Sequence, residues 1–321
     1  METARPMFSL VIPVYRNQGS LPELLRQVGA LAERLPGALE LVMVVDASPD
    51  GSYGYLLEHL PLQPFDSQLL LLARNFGSFA AIREGLREAK GDYLAVMAAD
   101  LQEPIELMER FFIALAADEA DVVVGSREGR DDPWLQRLPA QLFWSAYRRL
   151  INPEIPPGGV DVFGCTRGFA SHLVALPEAR SSLVGQLFWL GHRRKVFGYT
   201  RLAREHGASA WSFRRKLAYL SDSLFAFSDL PIRVLLVLGA LGLGLALLLG
   251  VVVVVARLTG KVPVPGYAAL MVAMTFFAGL NALGLGLIGS YAWRAYENSK
   301  QRPLALVLKQ HDFSGEDANG R

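Results

Sequence analysis

Gly91 to Pro104, GDYLAVMAADLQEP, is the stretch on which the fold turns, because an apolar run there ends abruptly in an acid. Tyr93 to Met97 is short and uninterrupted, as expected of a strand buried on both faces of a parallel sheet. Asp100 lies just past its carboxyl end. Open α/β sheets bind ligands in the crevice outside the carboxyl ends of their strands, so a carboxylate there is placed to hold a metal or a substrate. Gln102 adds an uncharged oxygen donor, and Pro104 with Glu106 reads as the start of a helix. Asp is also common at helix starts whatever a protein does, so this fragment alone leaves a capping role open.

The flanking chain repeats the pattern. Phe8 to Val14 reads as a strand followed by helical leucine spacing over Leu21 to Leu35. Leu39 to Val45 breaks into a turn-rich segment with Asp46 and Asp50, and Gln68 to Leu72 leads to Arg74-Asn75-Phe76-Gly77 and a helix over Phe79 to Ala89. Asp121 to Gly125 supplies another strand before Arg127. Short apolar strands alternating with helices predict a mostly parallel α/β sheet covered on both faces. No Gly-x-Gly-x-x-Gly follows the first strand and no P-loop is present, which argues against a plain dinucleotide or P-loop nucleotide site. A net charge of +1 gives no case for nucleic acid. The single cysteine, Cys165, excludes an internal disulfide. Met7 to Val14 reads as a strand, so no secretory signal is expected.

The last third has a different composition. Val234 to Ala256 carries no charge and, at about 1.5 Å per residue, exceeds a hydrocarbon core of about 30 Å. Tyr267 to Trp293 is likewise uncharged and long enough, so two spans are predicted. Trp211 to Leu230 mixes aromatic and leucine residues with Arg214, Arg215 and Lys216, as interfacial amphipathic helices do. Basic residues flank the two spans on their outer sides and only Arg257 and Lys261 lie between them, which predicts both termini and the globular domain on the cytoplasmic side. Glycines along both spans favour close helix approach, within the chain or in a homo-oligomer. Neither span holds an ionisable residue, which disfavours a transporter. The domains expected are 1–210 globular, 211–232 juxtamembrane, 233–295 anchor and 296–321 cytosolic tail, with Gln310 to Arg321 disordered.

Four segments in order, Val11-Ile-Pro-Val-Tyr15, Val44-Val-Asp-Ala-Ser48, Arg74-Asn-Phe-Gly77 and Ala98-Ala-Asp-Leu-Gln102, resemble glycosyltransferase family 2, and in particular its polyprenyl-phosphate sugar transferases of the bactoprenol glucosyltransferase type. Pro156 to Phe163 is similar to the family's Gly-x-Asp loop. Arg201, Arg204, Gly207, Ser209 and Trp211 follow its R-x-x-R-x-x-G-x-S-x-W segment. Two departures stand out: the family's first metal-binding acid falls on Ala98, and the first acid of the second segment falls on Val45.

The resemblance implies a GT-A fold (Rossmann-like, mostly parallel) and inverting transfer of a sugar, best guess glucose from UDP-glucose, to a polyprenyl phosphate at the bacterial inner membrane. It implies Mg²⁺ or Mn²⁺ at Asp100 and Gln102, donor binding by Pro13, Tyr15, Asp46, Arg74, Gly77 and Asp100, and reaction-centre roles for Asp100, Asp161 and Arg127. Arg127, Arg201, Arg204 and Ser209 are implied at the acceptor phosphate or donor diphosphate. Guanidinium suits either, offering a planar fork of donors with a permanent charge. A processive polysaccharide synthase is disfavoured, since no Gln-x-x-Arg-Trp segment follows the domain. Alternatives retained at this point are a GDP-mannose donor and a non-catalytic membrane scaffold with a degenerate metal site.

Overall fold

The structure is a computed structural model that describes residues 7–129, 145, 148–149, 152–176, 178, 181–202, 219, 222–259 and 266–315. Expectations for Arg204, Ser209, Trp211, Arg214, Arg215, Lys216 and Lys261 lie outside the described residues. The chain divides into two units, Met1–Lys216 with Arg302–Arg321, and Leu217–Gln301.

In the first unit the strands and helices alternate as β1 (Phe8–Val14), α1 (Leu21–Arg34), β2 (Leu39–Val45), α2 (Ser52–His59), β3 (Asp66–Leu72), α3 (Ser78–Glu88), β4 (Tyr93–Val96), α4 (Ile105–Ala116) and β5 (Val122–Gly129). They continue as β6 (Val162–Thr166), α5 (Arg167–Ala175), α6 (Leu183–Trp189) and β7 (Arg194–Thr200). One further strand, β8 (Val307–Phe313), completes an eight-stranded sheet of order β7-β5-β6-β4-β1-β2-β3-β8.

β1 lies between β2 and β4 in parallel register, and every residue of β2 is buried. Such double-sided burial is why these strands read as nearly continuous apolar runs, broken by Ser9 and Glu40, which bond each other (2.6 Å). One face packs Phe8, Leu10 and Ile12 with Leu24 and Val28 of α1 and Phe111 and Phe112 of α4. The other face carries α3, where Gly85 sits so close to Val11 that an added Cβ would lie 2.3 Å from its Cγ1. The GT-A-like α/β expectation holds, with one refinement. β6 runs antiparallel to both β4 and β5, and β8 antiparallel to β3, so the sheet is mixed at both sides of a parallel centre.

The expected tail is also corrected. Residues 310–313, read as disordered, belong to β8, whose polar residues Lys309, Gln310 and Asp312 are exposed along a sheet edge. Polar sequence is what an edge strand tolerates, so composition alone misread it as a tail.

The second unit contains α7 (Leu230–Leu258) and α8 (Tyr267–Ser299), longer than the predicted spans at both ends of α7 and at the carboxyl end of α8. Leu230–Ala256 and Phe276–Ser299 are long and apolar enough to cross a membrane, with mean hydropathies of 2.8 and 1.3. Leu236, Leu241, Leu247 and Leu285 each expose more than 60% of their surface. An aqueous protein does not leave so continuous an apolar surface uncovered, whereas lipid covers it without cost. Gly242 lies against Phe277 and Gly284 against Leu235, the close approach that small residues allow. Arg294 bonds Asp222 at 2.7 Å and stacks over Phe225.

Candidate active site

The carboxyl ends of β1, β2 and β4 are each followed within a few residues by a non-glycine residue in the left-handed region, Arg16 (φ 59°), Ala47 (φ 47°) and Leu101 (φ 57°). Backbone of this kind costs about 1–3 kcal/mol per residue and gathers at functional sites. The loops are cross-braced. The Arg16 amide donates to Ser48 Oγ (2.8 Å), the Gln18 amide to Asp50 (3.1 Å), and Ser20 Oγ donates to the Ala99 carbonyl (2.6 Å).

Asp46 is 2% exposed, and its two oxygens accept from the amides of Phe76 (2.7 Å) and Gly77 (2.8 Å). Burial pushes its pKa up while those amides and the Arg74 charge hold it down, with burial prevailing. It therefore ties the turn after β2 to the turn after β3. Arg74 is exposed, lying 4.1 Å over the ring of Phe76, and Gly77 takes φ 97°, a conformation that strains any side chain. Tyr15 follows β1, its amide donating to Asn17 (3.1 Å), and Pro13 lies within β1 itself.

A second group forms from the loop after β4, the last residues of β5 and β7, and the turn that enters β6. Arg127 pairs with Asp161, and the Tyr199 hydroxyl donates to Asp161 (3.1 Å). Gly158 makes that pairing accessible. An added Cβ there would lie 2.3 Å from the Arg127 carbonyl oxygen, so the Pro156–Gly159 turn can rest on β5 only as glycine. Burial works to lower the Arg127 pKa, yet Asp161 and Tyr199 raise it overall, so the guanidinium stays charged. Arg201 donates to the Gln102 side-chain oxygen (2.5 Å), and the Leu202 amide to the Gln102 carbonyl (2.9 Å), which fastens the segment after β7 to the Asp100 loop.

Two residues that sequence reasoning missed sit in this group. Glu103 is 2% exposed, its Oε2 has no hydrogen-bond partner among the described residues, and its pKa is pushed up to about 7, first by burial and then by Asp100. Arg201 and Arg127 pull it down, and Asp161 pushes it up. Tyr199 is 5% exposed, its pKa raised by burial and by Asp161. Glu103 carried a faint signal, an acid three residues after Asp100, but acids are ordinary at helix starts. Tyr199 carried none.

Among the described residues no three acids, histidines or cysteines stand close enough to hold a metal by themselves. Mg²⁺-type ions in phosphate-transfer sites are commonly held by one or two carboxylates, with substrate phosphates and water supplying the rest. Asp100, in a loop with an unsatisfied buried carboxyl beside it, fits that incomplete kind of donor set.

The chain matches the model of glycosyl transferase family 2 over residues 9–174. An uncharacterized glycosyltransferase of Synechocystis sp. is 31% identical over 300 residues, 93% of this chain and 94% of that protein. A prophage-derived bactoprenol glucosyl transferase of Shigella flexneri is 29% identical, covering 94% of this chain and 98% of its own. The mannosyltransferase PcManGT of Pyrobaculum calidifontis, solved with GDP-Man and Mn²⁺, overlays with a TM-score of 0.49 at 18% identity, covering 92% of this chain and 85% of that one.

Proposed function

This chain belongs to glycosyl transferase family 2 and is a glycosyltransferase, and from that premise we propose that it moves a hexose from a nucleotide sugar to a polyprenyl phosphate in the bilayer, taking UDP-glucose as donor. The observation that carries the reading is the union in one chain of a cluster of charged side chains, Glu103, Asp100, Asp161, Arg127 and Arg201, with two helices of membrane-spanning length. An acceptor confined to the membrane requires both. The near full-length likeness to a bactoprenol glucosyl transferase supports the same acceptor class.

A lipid phosphate is already ionised near neutral pH and needs no strong general base. Its oxygen attacks the anomeric carbon, the bond from that carbon to the diphosphate breaks, and the sugar inverts. The chain's work is then alignment and charge compensation. Arg127, held by Asp161 and Tyr199, and Arg201, held by Gln102, are fixed cations for the acceptor phosphate or the departing diphosphate. Arg204 and Ser209 are assigned to the same anions. Asp161 orients Arg127 and the sugar, and Pro13, Tyr15, Asp46, Arg74 and Gly77 shape the nucleotide side. Asp100 and Gln102 would hold Mg²⁺ or Mn²⁺, which supplies positive charge to the leaving diphosphate. The catalytic unit and both termini face the cytoplasm, and the spans pack in a homo-oligomer.

Purified protein in nanodiscs, given radiolabelled UDP-glucose and undecaprenyl phosphate, should put label into the lipid phase and lose it on Asp100→Ala. Label arriving only from GDP-mannose would move the donor assignment. No label from either donor sinks the reading.

A further inference from the structure

The chain leaves the first unit at residue 216 and returns to it at residue 302. We propose that the returning strand, β8, is a working part of the donor site, holding the Arg74 loop in position from its entry side. This rests on the donor reading above for Arg74 and Gly77.

The loop of residues 73–77 is anchored at both ends. At its exit the amides of Phe76 and Gly77 donate to Asp46. At its entry the amide of Ala73 donates to the carbonyl of Leu306 (2.9 Å), and Leu72 pairs with Val307 after an irregularity in the ladder at Leu71 and Leu72. That irregularity turns the last residues of β3 out of the regular register just where the loop begins, so the entry point is set by the C-terminal segment and not by β2 alone.

β8 is itself fixed along its length. Tyr53 of α2 and His311 bond through their hydroxyl and Nε2 at 3.0 Å, Ala305 is buried, and the Gly315 amide donates to Asp66 (3.0 Å). A strand needed only to cover the edge of β3 has no reason to extend its bonding past Leu72 to Ala73. With that bond lost, the loop keeps one anchor, and Arg74, exposed and stacked on Phe76, has its backbone set from one side only. Residues beyond the membrane-length helices thus complete the edge of a site whose nucleotide side, Pro13, Tyr15, Asp46, Arg74 and Gly77, comes from the start of the chain.

The test compares Lys309→Pro and Gln310→Pro in the full chain in nanodiscs. Consecutive strand residues point their N–H groups in opposite directions, so one proline removes a ladder bond to β3 and the other an outward N–H. The ladder-breaking variant should show at least tenfold faster hydrogen exchange at Phe76 and Gly77, and about fivefold weaker UDP-glucose binding by calorimetry well below its melting point, the equivalent of one backbone bond. The outward variant should match the parent.

A chain ending at Gln301 gives the second arm. It should regain donor affinity when a peptide of residues 303–315 is added, as strand addition predicts. Exchange that rises across β8 while Phe76, Gly77 and donor affinity stay at parental values overturns the proposal, as does a truncated chain that binds UDP-glucose like the parent. Loss of fold in both prolines and in the truncated chain, unrelieved by the peptide, also overturns it, since β8 is then a general prop. If the parent itself binds no nucleotide sugar, the donor reading fails while hydrogen exchange still decides the brace.

Discussion

Two acids buried to the same degree follow β2 and β4, the strands on either side of β1, and have opposite surroundings. Asp46 has both oxygens filled by backbone amides, whereas Glu103 has an oxygen with no partner among the described residues and lies among Asp100, Asp161, Arg127 and Arg201. A buried carboxylate that is fully satisfied holds structure together. One that is left unsatisfied beside like charges destabilises the resting fold, and such sites recur where a protein keeps charge ready for chemistry. On the proposed reading, the contrast separates the edge of the sheet into a nucleotide side that is already braced and a reaction side where like charges crowd a buried acid.

The sharpest way to break the contrast is Asp100→Ala, expected to cut sugar transfer about 100-fold or more in the nanodisc assay with little change in melting, as loss of a group that stabilises developing charge does. Asp100 is only partly buried, so its removal leaves no cavity of consequence. An effect under tenfold would place the reaction elsewhere.

Glu103→Gln comes next, and it acts on stability. The Glu103 pKa is about 7 in the fold against 4.5 as its ordinary value, so the fold grips the proton more tightly than the open chain does. The stability this contributes is fully present below about pH 4.5 and is lost as pH rises through about 7. Glutamine has no proton to lose there. The variant should match the parent near pH 4 and exceed it by on the order of 2 kcal/mol at pH 8 in denaturant melts. A difference independent of pH breaks the contrast.

Asp46→Asn should lower stability by about 1–2 kcal/mol at neutral pH, because an amide nitrogen turned toward Phe76 or Gly77 leaves one N–H unpaired. Its donor KM should rise more than its kcat falls. The smallest effect expected is from Tyr199→Phe, which removes one bond to Asp161 and should lower kcat/KM about fivefold with an unchanged melting point.

How much of this could be read from the sequence differs by element. The parallel centre was legible because strands buried on both faces are mostly apolar, and β1, β2 and β4 are, apart from Ser9 and Glu40, which bond each other (2.6 Å). Asp100 and Arg127 were legible as charged residues after apolar runs, and Asp161 and Arg201 through the family segments that their surroundings resemble. Glu103 was hidden by its position before Pro104, where an acid needs no special reason, and Tyr199 by lying inside β7, a strand of mixed polarity. β8 was hidden by polar residues that suit a sheet edge and a tail equally well.

Composition and periodicity by themselves determined that this protein joins a sheet-and-helix domain to two membrane-length helices, since burial and lipid contact both dictate side-chain polarity residue by residue. Only the tertiary structure decided that Arg201 meets Gln102, that Glu103 Oε2 finds no partner among the described residues, and that residues 307–313 close the edge of β3. Those outcomes depend on which distant segments meet in space, and a pairing such as Arg201 with Gln102, 99 positions apart, leaves no mark on either segment's own pattern.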